Sequence, residues 1–161
     1  MKSGYSQVRK GHIVAENIRF RATWQNQARL ETFEREGVLI KCGCGKCASI
    51  NQIKIIVDTV PSSRVAKASC PHCGKIWELP YSYNSLPLFL ATHYRSHRIW
   101  ALNEQHLGWL ESFIGATVRE DKIGGSSALH AVLPRWMTAS KNRKDVMRAL
   151  TRLRQKLDVA L

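Results

Sequence analysis

The sequence predicts an α+β protein in which a cysteine-rich β-module lies between a short N-terminal strand and helix and a C-terminal helical region. Stretches rich in β-branched residues dominate the first half of the chain, and apolar residues at three- and four-residue spacing dominate the second. Five cysteines fall within residues 42–73, in two clusters on either side of the β-branched stretch at 50–60. The predicted domains are therefore residues 1–37, 38–81 and 82–161.

The N-terminal part is predicted to contain one strand and one helix. Apolar and basic residues alternate over residues 18–24, which is the pattern of a strand buried on one face. Residues 25–36 are good helix formers, and Gly37 is placed to end the helix.

The β-module is predicted to consist of two cysteine clusters joined by a hairpin. Residues 38–40 lead into the first cluster, and β-branched residues fill 50–60 before the turn at 61–63. Residues 64–69 return to the second cluster, and a last short strand follows at 75–81.

The C-terminal region is predicted to be helical after a linker between Pro80 and Pro87. One helix is capped by Asn103 and continues through Thr117 and Val118 towards a glycine-rich turn. A helix over residues 127–133 is interrupted at Pro134. The last helix starts at Asn142 and has a stripe of apolar residues, namely Val146, Leu150, Leu153 and Leu157.

The cysteine spacing predicts a structural zinc site. Cys44-x2-Cys47 and Cys70-x2-Cys73 each place two thiolates on one tight turn, and two such turns complete the tetrahedron that zinc prefers. Four thiolates leave no open coordination position, so the metal is expected to stabilise the fold and not to activate water.

The sequences CGCGKC and CPHCG, on either side of a hairpin, resemble the paired cysteine turns of the zinc-ribbon superfamily. The resemblance covers residues 40–81 and implies a zinc-bound β-module of a kind found in transcription, replication and translation proteins. It implies no reaction. The motifs IWALN and LPRWM resemble those of an uncharacterised bacterial zinc-ribbon family, and this likeness implies no activity either.

Cys42 is a surplus thiol in the predicted first turn. It is interpreted as a spectator or as an alternative ligand in place of Cys44. The other hypothesis is a reactive thiol beside Lys41 and Lys46, which would make the protein a redox sensor.

Histidines form a second candidate cluster. On a helix, His93 and His97 would lie on one face, and with His72 or His106 they could bind another metal. Because no acidic partner accompanies them at the spacing of a hydrolytic zinc motif, they are interpreted as surface or anion-contacting groups.

The charge balance predicts a polyanionic partner. The chain has 25 Lys and Arg against 12 Asp and Glu, a net charge of +13. In the last helix four cations recur at four-residue spacing and form a candidate phosphate-binding row: Lys144, Arg148, Arg152 and Lys156. Arg95 and Arg98 lie in an aromatic and basic cluster that suits a nucleic-acid strand. A solvated outer helix face is the alternative interpretation.

These observations predict a non-catalytic zinc-ribbon protein that binds nucleic acid, DNA in preference to RNA, as an accessory or regulatory factor. No catalytic constellation, no small-molecule substrate motif and no membrane-spanning apolar run is present in the sequence, so a cytoplasmic protein that is not an enzyme is expected. The alternative is an adaptor that docks onto a larger nucleic-acid machine through protein contacts.

Overall fold

The computed structural model describes residues 19–21, 29–57, 63–120 and 129–160. It confirms the α+β class, with antiparallel sheets and a C-terminal helix. The N-terminal elements and the central sheet are β1 (Arg19–Arg21), α1 (Leu30–Arg35), β2 (Val38–Lys41), β3 (Cys47–Ile56), β4 (Ser63–Ser69) and β5 (Ile76–Pro80). They are followed by β6 (Ala91–Tyr94), β7 (His97–Trp100), α2 (Glu104–Gly115), β8 (Val118–Glu120), α3 (Leu129–Val132), α4 (Arg135–Thr138) and α5 (Arg143–Ala160).

The central sheet is a four-stranded antiparallel meander in the order β2-β3-β4-β5. Its buried face carries Ile40, Ile50, Ala66 and Ala68, which alternate with more exposed residues as the period-two pattern requires. A change of register between Ile50 and Gln52 marks a bulge in β3. Residues 58–60 of the predicted strand lie outside the described part of the chain.

Helix α1 is attached to this sheet by an ion pair. The Glu34 carboxylate accepts hydrogen bonds from Arg64 Nη2 at 2.9 Å and from the Tyr83 hydroxyl at 2.6 Å. Burial opposes the charge on Glu34, but these bonds outweigh it and lower the pKa of the carboxyl. Gly37 ends the helix with a φ of +93°, as the sequence predicted for this position. Residues 25–28 of the predicted helix are outside the described ranges.

The predicted linker after Pro80 is wrong. Tyr81, Leu86 and Leu88 are buried, and Leu88 forms a bridge with Ile40 of β2. Bulky apolar residues at these positions gain more from burial in the core of the sheet than a solvated linker would allow. The two prolines therefore flank a packed segment.

His93 and His97 lie on a β-hairpin and not on the helix that would place both on one face. Strands β6 and β7 pair antiparallel, with Tyr94 opposite His97, so that Arg95 and Ser96 alone form the turn. This hairpin contacts α5 and brings the aromatic residues of 93–100 next to the helical region.

Helix α2 begins at the predicted cap but ends early. The Asn103 side chain accepts a hydrogen bond from the His106 backbone N–H at 2.9 Å. The helix ends at Gly115, and Val118 lies in β8, which pairs in parallel with β1. The expectation that Thr117 and Val118 continue the helix is thus wrong, because Gly115 weakens the last turn and the β-branched side chains of Thr117 and Val118 favour extended backbone.

The last three helices agree with the sequence more closely. Pro134 separates α3 from α4, as predicted, and residues 127–128 are outside the described ranges. Asn142 lies in a single 3-10 turn, and its side chain donates to the Trp136 carbonyl at 2.8 Å. Helix α5 buries the predicted apolar stripe, comprising Val146, Leu150, Leu153 and Leu157.

Two apolar cores hold these elements together. One lies among α2, α5 and the β6–β7 hairpin, and the other lies beneath the central sheet. Leu102 and Leu129 belong to the core of the sheet although both lie in the C-terminal part of the chain. In the described ranges no helix combines the length and the apolar character needed to cross a membrane.

Candidate metal centre and its basic surroundings

Two tight turns at one end of the central sheet carry the cysteines. The first cysteine turn (residues 42–46) joins β2 to β3, and the second cysteine turn (residues 70–75) joins β4 to β5. The Cys42 N–H donates to the Lys46 carbonyl at 2.9 Å, and the Cys70 N–H donates to the Lys75 carbonyl at 2.9 Å. The two turns therefore close in the same way, and the first is one residue shorter.

Each turn depends on one glycine. Gly45 has a φ of +83° and Gly74 a φ of +71°, in the left-handed region that L side chains rarely adopt. A Cβ at either position would meet open space, so the backbone conformation, and not crowding, favours glycine here.

Four cysteine sulfurs converge between the turns: Cys42, Cys44, Cys70 and Cys73. Their Sγ atoms all lie within 4.8 Å of one another. The Sγ atoms of Cys42 and Cys73 are 3.6 Å apart, and those of Cys44 and Cys70 are 3.7 Å apart. A tetrahedral zinc thiolate site with bonds of about 2.3 Å has sulfurs about 3.8 Å apart. The four cysteines are thus positioned to hold a metal ion.

The structure corrects one predicted ligand. The cysteine spacing predicts Cys44 and Cys47 as the ligands from the first turn, whereas the cluster contains Cys42 and Cys44. Cys47 is the first residue of β3, paired with Lys41, and its Sγ contacts the Ala48 carbonyl at 3.7 Å. Because this pairing closes the hairpin over residues 42–46, Cys42 takes the position in the first turn that Cys70 has in the second.

A signal for the correct assignment is present in the sequence. Both turns end in the same tripeptide, Cys44-Gly45-Lys46 in one and Cys73-Gly74-Lys75 in the other. Aligning the turns on this tripeptide gives C-x-C-G-K and C-x-x-C-G-K, and leaves Cys47 as the spare thiol. The redox hypothesis treats Cys42 as a thiol separate from the metal ligands. In the structure, Cys42 belongs to the four-cysteine cluster, so this condition is not met.

The thiols of the centre differ in acidity. A hydrogen bond from the Cys73 backbone N–H, with further bonds from neighbouring groups, lowers the pKa of Cys70 to about 7. The Lys46 backbone N–H favours the thiolate of Cys44, but desolvation and the three other thiols outweigh it and raise the pKa of Cys44 to about 11. Metal binding must therefore displace protons, and its affinity is expected to rise with pH.

The cation row on α5 is divided between solvent and the protein interior. Lys144, Arg148 and Arg152 are exposed, and Arg148 also pairs with Asp145 at 3.3 Å. Lys156 is half-buried, and its Nζ donates to the Phe89 carbonyl at 2.6 Å and lies 4.3 Å from the centre of the Phe89 ring. A four-residue step turns about 40° around a helix, so the row moves from the outer face to the flank of α5.

The two arginines of the hairpin also differ in their contacts. Arg98 donates to the carbonyls of Asn84 at 3.3 Å and Leu86 at 3.0 Å, which gives it a structural role. Arg95 is exposed at the turn, with a φ of +53° and its guanidinium 5.1 Å from the centre of the Tyr94 ring.

The histidines are not gathered at one place. His97 stacks on Trp136 at 4.3 Å, whereas His106 is buried and stacks on Phe33 at 4.8 Å. Burial lowers the pKa of His106 to about 4, so it is neutral at physiological pH. Of the residues that the structure describes, only the four cysteines form a cluster of three or more potential metal ligands.

Comparison with known proteins identified no relative of this chain. No protein-family model matches the chain, and no curated protein and no solved structure is significantly similar to it. The likeness to a zinc ribbon is therefore carried by the two cysteine turns and the antiparallel strands between them.

Proposed function

We propose that this protein is a non-catalytic, zinc-stabilised nucleic-acid-binding protein that acts as an accessory or regulatory factor. The observation that carries the proposal is the exposed face of α5, where Lys144, Arg148 and Arg152 follow one another at intervals of four residues. Of these three, within the described part of the chain, Arg148 alone has a carboxylate partner. The other two cations are available to a polyanion, in a chain of net charge +13.

Zinc is the cation that fits the four-cysteine cluster. Soft thiolates in a tetrahedral arrangement select zinc or iron, and zinc is the usual ion when the sphere is closed by four cysteines. Bound there, it would supply cross-linking energy between the two cysteine turns. The small sheet that ends in these two turns has only a modest apolar core. The free energy of zinc binding would therefore contribute to the free energy of folding.

DNA is favoured over RNA because an α-helix such as α5, with three cations in one row, fits at the wide major groove of B-form DNA, whereas the major groove of A-form RNA is deep and narrow. Such a helix holds its charges in a fixed row, about 6 Å apart along the axis, which suits a regular phosphate backbone. Phosphate contacts of this kind position a protein without reading sequence.

The test is a salt series with the zinc-loaded protein and three ligands: duplex DNA, single-stranded DNA and RNA. Replacement of Lys144, Arg148 and Arg152 by Gln is expected to weaken binding and to reduce the slope of log K on log salt by about 2.7 for duplex DNA, at about 0.9 per lost phosphate contact. The matched control replaces three exposed cations elsewhere, Arg35, Lys54 and Lys67, by Gln.

An equal loss in the control triple would show that total charge, and not the face of α5, governs binding. Negligible binding of all three nucleic acids by the unaltered protein at physiological salt would overturn the proposal.

An adaptor function is the second candidate, favoured by one specific observation. Ile55 and Val57, two residues apart at the end of β3, are large apolar residues with 64% and 76% of their surface exposed. Exposed apolar groups of this size suit a protein partner. An adaptor would keep its partner in a pulldown when the three α5 cations are replaced by Gln, whereas a nucleic-acid-bridged complex would be lost.

A further inference from the structure

A groove of about 720 Å³ separates the cysteine turns from the C-terminal end of α5. Lys46 and His72 enter it from the first and second cysteine turns, Lys156 and Gln155 enter it from α5, and Phe89 lies against it. The four-cysteine cluster joins the two cysteine turns. It therefore also sets the width of the groove, which is the distance between these turns and α5.

Two lysines and a histidine are among the residues that line the groove. Among its lining residues within the described ranges, none carries a carboxylate. The Lys156 ammonium is held in place by the Phe89 carbonyl at 2.6 Å, and Lys46 and His72 are exposed on the opposite side. Burial and the nearby charge of Lys41 lower the pKa of Lys156, while Cys47 acts in the opposite direction, so burial is the main cost to its charged form.

We propose that this groove binds a phosphodiester group of the nucleic-acid strand, with Lys46, His72 and Lys156 as its hydrogen-bond donors. The inference rests on the proposed function and extends it from the outer face of α5 to the metal centre. An ammonium group that is partly desolvated binds a phosphate oxygen more strongly than an exposed one does. Val159 and Ala160 give the groove an apolar wall against which the sugar next to the phosphate can lie.

The position of Lys156 connects the groove to the exposed row. It follows Arg152 by four residues, which is about 6 Å along the helix, and it is turned about 40° towards the cysteine turns. One strand can therefore contact Arg152 on the outer face and Lys156 in the groove at successive positions.

The reactivity of the Cys47 thiol can report whether the groove is occupied. It lines the groove, is half-buried, and lies outside the four-cysteine cluster. In the zinc-loaded protein, the cluster cysteines are protected by the metal, so slow alkylation by iodoacetamide should report on Cys47. A Cys47→Ser variant identifies its signal in peptide mass spectrometry.

The experiment measures the alkylation rate of Cys47 with and without the oligonucleotide that binds best in the salt series. At a ligand concentration ten times Kd the rate is expected to fall about tenfold, because only the unliganded fraction reacts. Inorganic phosphate at the same ionic strength is the second probe, and it is expected to protect much less.

Charge variants test the same inference independently. Lys46→Gln with Lys156→Gln is expected to reduce the salt slope by about 1.8, at about 0.9 per phosphate contact, whereas Lys54→Gln with Lys67→Gln leaves it unchanged. Lys46→Gln alone, on an exposed turn residue, gives half the effect and keeps the test valid if the double variant folds poorly.

The outcomes separate the two proposals. Full oligonucleotide binding with an unprotected Cys47 and an unchanged slope in the Lys46 and Lys156 variants overturns the groove and leaves the proposed function intact. Absence of oligonucleotide binding overturns both. Protection by inorganic phosphate that equals protection by oligonucleotide shows a small-anion site and overturns the assignment to a nucleic-acid strand.

Discussion

Cys42 and Cys47 carry the same side chain close to each other on one hairpin, yet they have different surroundings. Cys42 is buried in the sulfur cluster, with its Sγ 3.6 Å from that of Cys73, and Cys47 lies on the neighbouring strand. Cys42→Ser is expected to weaken zinc binding more than a hundredfold, because one of four thiolates supplies about 3 kcal/mol of the binding free energy. Competition with a chromogenic chelator measures this affinity.

Cys47→Ser is the matched control for that measurement. It removes one thiol from the same segment and is expected to leave zinc affinity and stoichiometry unchanged, because its sulfur lies outside the cluster. A loss of zinc in Cys47→Ser with retention in Cys42→Ser would contradict the assignment of the ligands.

His106 makes stability depend on pH. Its pKa is lowered by burial from 6.5 to about 4, so between these values the unfolded chain binds a proton that the folded chain does not. The contribution of His106 to the free energy of unfolding is therefore expected to have its full value above pH 6.5 and to fall by about 3 kcal/mol as the pH approaches 4.

The measurement is urea denaturation at several pH values for the unaltered protein and for His106→Gln. The difference between the two proteins isolates this residue, because all other titrating groups are common to both. Curves that stay parallel from pH 7 to 4 would show that His106 is not the source of the dependence.

At the residue scale the sequence predicted three of the four cysteines that the structure brings together: Cys44, Cys70 and Cys73. Thiolate chemistry and two close cysteine pairs were sufficient for that. The fourth ligand depended on hairpin register, which cysteine spacing alone does not reveal. The pairing of Lys41 with Cys47 decides it, and only the repeated Cys-Gly-Lys ending carried that information in the sequence.

Among the elements, the start of α2 has a role beyond its own helix. Asn103 Oδ1 caps the helix, and Nδ2 donates to the Phe33 carbonyl at 2.7 Å and to the Gly37 carbonyl at 2.8 Å. The side chain thus joins α2 to the end of α1. Asn103→Ala is expected to lower the free energy of unfolding by about 3 kcal/mol, since a cap and two buried acceptors are lost together.

Asn103→Asp separates these contributions in the same denaturation experiment. Aspartate keeps the capping oxygen for the His106 N–H but has no donor for the two carbonyls, so a substantial part of the loss is expected to persist. A variant as stable as the unaltered protein would show that the contacts with α1 contribute nothing.

The elements that the sequence predicted are those with strong local signals. The strands of the central sheet and the apolar stripe of α5 follow directly from two- and 3.6-residue periods. The β6–β7 hairpin had no such signal, because its turn is Arg95-Ser96 and contains no glycine or asparagine. Arg95 adopts a positive φ that its type rarely shows, and tertiary packing against α5 compensates for it.

For the molecule as a whole, the metal is expected to stabilise more than the sheet. Leu102 and Leu129 of the C-terminal part pack into the core of the sheet, and α1 contacts both regions through Phe33 and Glu34. Removal of zinc by a chelator should therefore lower the thermal midpoint of the helical signal as well, and added zinc should restore it.

The helical signal of α2 and α5 in far-UV circular dichroism measures how strongly the metal stabilises the helical region. Tryptophan fluorescence is the second probe. A helical transition at an unchanged midpoint after complete metal removal would show that the two cores unfold independently. Coincident shifts of both probes are the expected result.

The row of cations on α5 has a definite length. From Lys144 to Lys156 it rises about 18 Å, at 1.5 Å per residue, and it ends where the helix flank meets the cysteine turns. Under the proposed function, the affinity for an oligonucleotide is therefore expected to rise with each added nucleotide until the strand covers this distance. Beyond that length, affinity should increase only through the number of ways in which a longer strand can be placed on the protein.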